Sequence, residues 1–214
     1  MSQSIPTEQE IYEILENRHT SEVQDKLHSA RVAVCGLGGL GSNIAIALAR
    51  IGVGHLHIID FDQVDLSNLN RQQYGIKDLG KPKPEAMERI IRSFAPYCKI
   101  NTDVIKLTEE NMRTLLVKDT IICEAFDDPT EKAKLTNYIL TYLPDKYLVG
   151  ASGMAGYGSS NDIRTKKVMN HYYVCGDGVS DINNTCGLMA PRVMLCAAHQ
   201  ANMVVRLILG LNDV

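Results

Sequence analysis

The residues able to do chemistry cluster around one glycine-rich turn. Gly36, Gly38 and Gly41 keep a Gly-x-Gly-x-x-Gly spacing inside Cys35-Gly36-Leu37-Gly38-Gly39-Leu40-Gly41-Ser42. Such a turn permits positive φ and lets backbone N–H groups approach phosphate oxygens closely, a role in which Gly39 shares. Asp60 stands at the distance where a ribose acceptor is expected in a βαβ unit, with Asp62 close behind it. In Asp65-Leu66-Ser67-Asn68-Leu69-Asn70-Arg71-Gln72, Asn68 offers an amide and Arg71 a planar fork suited to phosphate oxygens. Lys81 and Lys83 flank Pro82 at a helix start, where a cation opposes the helix dipole and so points to an anionic ligand nearby. Asp127 ends an apolar run, and a carboxylate beside phosphates calls for a metal between them, here magnesium. These residue types bind a nucleotide. Their spacing alone leaves open whether it is a hydride cofactor or ATP.

The elements that must hold these groups alternate in type. Arg31 to Cys35 reads as a buried strand, Asn43 to Ile51 as an apolar helix and His55 to Asp60 as a second strand. Further strands are expected over Lys99–Ile105, Thr120–Ala125, Lys146–Ala151, Ile163–Val168 and His171–Val174, with one helix opening in Gly80–Glu85 and running to about Ala95, and others over Thr108–Val117, Pro129–Leu143 and Leu188–Leu211. Asp128, with Pro129 and Glu131 behind it, is a helix N-cap, which leaves Asp127 free for a ligand. The alternation implies a Rossmann-like, doubly wound α/β fold: a mostly parallel sheet with helices on both faces and a small antiparallel extension. It divides a single domain into a helical extension (1–30), a nucleotide-binding core (31–150) and a region of strands, loop and helix (151–214). In the extension, Thr7 to Glu10 forms a capping box, and Arg18 falls in the turn between two short helices. Cys175 to Cys186 has no apolar period and reads as a mobile loop, and His199 as a satisfied core histidine.

With 214 residues, 45% hydrophobic and 22% charged, the chain suits one globular domain. A net charge of −3 argues against nucleic acid or an acidic membrane surface as partner. Six cysteines without Cys-x-x-Cys pairs, no signal-like segment and no bilayer-length apolar run lead to the expectation of a reduced, cytoplasmic protein.

Gly36 to Ser42, Ile59-Asp60-Phe61-Asp62, Leu66 to Gln72, Gly80 to Lys83, Phe126-Asp127 and Gly187-Leu188-Met189-Ala190-Pro191 occur in this order. Together they resemble the ubiquitin-activating-enzyme-like adenylyltransferases, and within them the ThiF-like branch that activates sulfur-carrier proteins. The Ser-Asn-Leu-x-Arg-Gln element is its most specific part. The resemblance implies ATP on the glycine turn, with Asp60 at the ribose. Asn68, Arg71 and Lys83 would lie on the phosphates, and Asp127 on magnesium. It implies adenylylation of the C-terminal glycine carboxylate of a small carrier ending in Gly-Gly, in thiamine biosynthesis. It also implies a homodimer in which Arg18 enters the partner's site. Two departures stand out. The paired Cys-x-x-Cys ligands of a structural zinc are missing, so no zinc is expected. Cys186 abuts Gly187, and either it or Cys175 is the candidate sulfur-transfer thiol. The other readings are an NAD-dependent oxidoreductase, an activating enzyme for a molybdopterin carrier or a modified tRNA base, and a non-catalytic carrier-binding subunit.

Overall fold

A computed structural model describes residues 5–214. The first four residues of the expected extension lie outside the described residues. Helix α1 (Glu8–His19) opens on the expected capping box: Glu10 N–H donates to Thr7 Oγ1 (3.2 Å) and Thr7 N–H to Glu10 Oε2 (2.7 Å). No α1 side chain is fully buried, whereas α2 (Ser21–Ser29) buries Gln24 and Leu27. Arg18 belongs to the last turn of α1, not to a linker; the junction is the single residue Thr20, at φ 93°.

The core alternates as expected: β1 (Arg31–Cys35), α3 (Gly39–Arg50), β2 (His55–Ile59), α4 (Lys83–Arg92), β3 (Lys99–Asp103), α5 (Glu109–Leu116), β4 (Ile121–Glu124), α6 (Pro129–Tyr142) and β5 (Tyr147–Ala151). Helix α3 starts four residues earlier than its apolar stretch suggests, because the second half of the glycine turn is already helical. After β5 come β6 (Arg164–Met169), β7 (Tyr172–Gly176) and α7 (Ala190–Ile208). The seven strands take the order β3-β2-β1-β4-β5-β7-β6, all parallel except β6, which runs antiparallel to β7. That antiparallel edge is the expected extension. Its strand, Arg-Thr-Lys-Lys-Val-Met, is largely exposed, and edge lysines of this kind discourage further strand pairing.

Two apolar layers sandwich the sheet. One packs Val32, Val34, Leu56 and Ile58 against α3, α4 and α7; the other packs Ala33, Cys35, Ile122 and Leu148 against α5 and α6. Alternate strand residues therefore feed opposite faces, which makes the fold doubly wound. His57 is the buried polar residue of β2, with Nδ1 2.8 Å from Asp119 Oδ2 and Nε2 2.8 Å from Asp103 Oδ2. Cys175 is a second departure from expectation: it lies in β7, fully buried, and burial pushes its thiol up to about 11. Pairing of Cys175 with Ala151 on β5 and of Gly176 with Arg164 on β6 extends β7 two residues past the expected end. Cys175 is therefore neither a loop residue nor an available nucleophile.

Candidate nucleotide site

Strand order reverses between β1 and β4, and a cleft of about 300 Å³ opens at their C-terminal ends. Gly36, Gly38, Gly39, Asp60, Asp62, Asn68, Arg71, Lys83 and Asp127 all line it. Four segments far apart in sequence thus meet in one place.

The glycines of the turn serve different purposes. Gly36 sits at φ +91°, and a Cβ there would lie 2.9 Å from Ala125 O and from Phe126 Cδ1. A Cβ on Gly41 would fall 1.8 Å from Gly36 O, far inside van der Waals contact. Those two positions are glycine because the fold requires it. At Gly38 a Cβ would meet nothing nearer than Gln72 Nε2 at 3.8 Å. The space in front of Gly38 is left open by the protein, and it lies at the N-terminus of α3, where free N–H groups and the helix dipole favour an anion.

Asp60 closes the turn. Its Oδ2 accepts from Leu37 N–H (2.6 Å) and its Oδ1 from Asp62 N–H (2.8 Å). Burial raises its pKa above the ordinary aspartate value, against the opposing pull of Lys83 and the two N–H groups. Asp60 thus shapes the turn as well as lining the cleft, and each oxygen keeps a second lone pair for a hydroxyl.

Between Asp62 and α4 the chain makes two 3₁₀ turns, Leu66–Asn68 and Ile76–Asp78. Asn68 caps the first, accepting from Asp65 N–H (3.0 Å). Arg71 Nη1 donates to Ser67 O (3.1 Å) and Asn70 Oδ1 (2.9 Å), while its buried Nε has no partner. Lys83 is 5% exposed, and its ammonium meets Asp62 Oδ2 at 2.7 Å. The choice between the two lysines is settled by helix geometry. Lys83, in the first turn of α4, faces the cleft, whereas Lys81 is exposed and lies 3.9 Å from Asp78.

Asp127 follows β4 and is exposed, with no hydrogen-bond partner among the described residues. Asp128 caps α6 as expected, accepting from Thr130 N–H (2.7 Å) and Glu131 N–H (3.0 Å). No group of three or more His, Cys, Asp or Glu side chains forms a ready-made metal cage among the described residues. Magnesium does not need one: it commonly takes one or two carboxylates and completes its shell with water and phosphate oxygens. Asp127 fits that donor set.

Three expected site residues do not line the cleft: Gly41, whose close approach to Gly36 O serves the turn itself, and two that lie elsewhere. Arg18 is exposed on α1 and Cys186 is exposed on the loop before α7; neither lines this cleft. The sequence reading overlooked Gln72, which is buried against the cleft with its Oε1 unpartnered, and Glu124, buried at the end of β4. Glu124 was legible in principle, since a carboxylate inside an apolar strand needs a reason to be there.

A glycine turn at the switch point of a doubly wound sheet, ringed by cations and one unpartnered carboxylate, defines a nucleotide-binding α/β protein of Rossmann type. Residues 13–214 match the ThiF family, and the chain belongs to it. It is 33% identical over 132 residues to the adenylyltransferase and sulfurtransferase UBA4 of Debaryomyces hansenii, covering 61% of this chain and 29% of that protein. It is 31% identical over 137 residues to the tRNA threonylcarbamoyladenosine dehydratase of Haemophilus influenzae, covering 63% of this chain and 52% of that one. The chain thus spans between about a third and a half of these curated relatives. Its fold is similar to that of E. coli tRNA N6-threonylcarbamoyladenosine dehydratase, TcdA, solved in complex with ATP: TM-score 0.84, 19% identity, 97% of this chain and 98% of that one.

Proposed function

We propose that this chain transfers the adenylyl group of ATP to a carboxylate, forming an acyl-adenylate and releasing pyrophosphate. The acceptor in this reading is the C-terminal glycine of a small ubiquitin-like sulfur-carrier protein, in a pathway such as thiamine biosynthesis. The observation that carries it is the convergence in one cleft of the open turn at Gly38, the cations Arg71 and Lys83, and the unpartnered Asp127. A 32% identical relative over 108 residues, covering half of this chain and 40% of its own, is the sulfur carrier protein adenylyltransferase of Thermus thermophilus.

A carboxylate is already a nucleophile, so the cleft needs no general base. An acceptor oxygen forms the new bond to the α-phosphorus while the bond to the bridging oxygen of pyrophosphate breaks. The protein contributes position and charge. Backbone N–H groups at Gly38 and Gly39 receive phosphate oxygens. Arg71, whose Nε is buried without a partner, and Lys83 offset the charge that builds on the transferring group and on pyrophosphate. Asp127 would hold magnesium, which when bound neutralises phosphate charge. Arg18 completes the partner's cleft in a homodimer, and the Cys186 thiolate takes the carrier's acyl group as a thioester, its S–C bond forming as the acyl–phosphate bond breaks and AMP leaves.

The test is ATP–pyrophosphate exchange with a carrier ending in Gly-Gly, for the wild type and Asp127→Ala. Carrier-dependent exchange that falls by about 10²–10³ in the variant supports the reading. Exchange that is indifferent to the mutation removes Asp127 from it. A second acceptor, the carboxylate of tRNA-borne threonylcarbamoyladenosine, is favoured by the 31% identity over 137 residues to the Haemophilus influenzae dehydratase. Exchange stimulated by the modified tRNA fragment and not by any carrier would select it.

A further inference from the structure

Glu124 is 2% exposed and outside the cleft, yet three parts of the molecule are built around its carboxylate. Lys132, one turn into α6, places Nζ 3.0 Å from Glu124 Oε1 and 2.9 Å from Oε2. Gly150 on the neighbouring strand β5 makes room for the carboxylate, since a Cβ there would lie 3.3 Å from Oε2. Phe126 is gripped at both ends of its backbone: its N–H donates to Glu124 Oε1 (2.8 Å), and its C=O accepts from Lys132 Nζ (3.0 Å).

An ion pair that buries its carboxylate is a poor choice for stability alone, because well-packed apolar side chains usually serve as well. Here the two charges do something an apolar pair cannot. They hold one residue by its backbone donor and its backbone acceptor together, and the next residue is Asp127. On the far side of Asp127, Asp128 is held by the α6 N-cap. Asp127 is therefore fixed before and after, while its own side chain has no partner among the described residues. The same clamp seats the Phe126 ring against Gly36, coupling the β4 loop to the glycine turn.

We propose that the pair formed by buried Glu124 and half-buried Lys132 is the positioning device for the Asp127 carboxylate, setting its place relative to the glycine turn. The pair thereby governs how strongly magnesium tightens nucleotide binding. This inference rests on the assignment of Asp127 to magnesium. Neither Glu124 nor Lys132 lines the cleft, so both act through Asp127.

The experiment measures the affinity of a fluorescent ATP analogue for the full chain, in magnesium chloride and in EDTA, alongside thermal melting of each variant. Asp127→Asn should lose the tightening by magnesium and keep the EDTA affinity. Lys132→Met should lose about tenfold or more of the same tightening, the usual cost of removing a supporting group behind a metal ligand, with the EDTA affinity kept. Lys132→Arg, which preserves charge and donors, should restore it. Should Lys132→Met fail to fold, the charge-free double variant Glu124→Gln with Lys132→Met is read in its place. Full magnesium tightening in the charge-free variant, with tightening lost in Asp127→Asn, overturns the positioning role. Equal weakening with and without magnesium also overturns it, because it marks general damage to the cleft. Tightening retained in Asp127→Asn instead overturns the metal assignment beneath it.

Discussion

At the scale of single residues, the glycine turn separates folding from binding. Gly41→Ala drives a Cβ against Gly36 O and should destabilise the chain by about 1–3 kcal/mol or more, measured by urea unfolding. Gly38→Ala meets open space and should melt like the wild type, yet weaken ATP binding about tenfold, a loss of ~1.4 kcal/mol. Equal melting shifts in the two variants would contradict this division. His57 makes a second residue-scale prediction. Burial opposes its charge, but hydrogen bonds to Asp119 and Asp103 outweigh burial and raise its pKa above 6.5. The stability this contributes is complete below the unfolded value of 6.5 and is lost as pH rises through the raised folded value. His57→Gln should therefore flatten the fall in denaturation midpoint over that window. The groups packed around the imidazole are Asp103 on β3, Asp119 before β4 and Arg31 on β1 (3.9 Å from Asp119).

At the scale of elements, α6 ties the site to the scaffold. Asp128 caps its first turn, Lys132 reaches Glu124, and Leu135 and Ile139 are fully buried beneath the sheet. Leu135→Ala should cost about 2–5 kcal/mol, since it leaves a cavity in the layer shared with α5. Asp128→Ala should lower the melting temperature by a few degrees and loosen the turn that carries Asp127. An unchanged melting temperature in Asp128→Ala would mean the cap contributes nothing to the fold. Helix α1 is the opposite kind of element: with no buried side chain it should be the first helix to exchange its amide hydrogens.

At the scale of the whole molecule, the cleft sits where two halves of one sheet diverge, so a ligand there bridges both halves. Magnesium–ATP at 100 times its dissociation constant should stabilise the chain by about 2.7 kcal/mol, visible as a melting shift of several degrees. NAD should give no such shift. No helix among the described residues is long and apolar enough to cross a membrane.

Local pattern determined most of this architecture. Alternating apolar runs, the glycine spacing and the Asp128-Pro129 helix start each follow from short-range sterics and hydrogen bonding, which neighbours in sequence suffice to specify. Asn68, Arg71 and Asp127 were likewise legible, because charged and amide groups in loops beside a glycine turn at the edge of a sheet have few other uses. Tertiary structure alone decided the rest. Lys83 rather than Lys81 meets the cleft because the first turn of α4 points it there, and Cys175 is sealed in β7 because strand pairing continues past the apolar run. The clamp of Glu124 and Lys132 on Phe126 depends on a strand and a helix meeting in space. His57 likewise finds its carboxylates 46 and 62 residues away. Partners that distant are set by packing of the sheet, and no local pattern of residues encodes them.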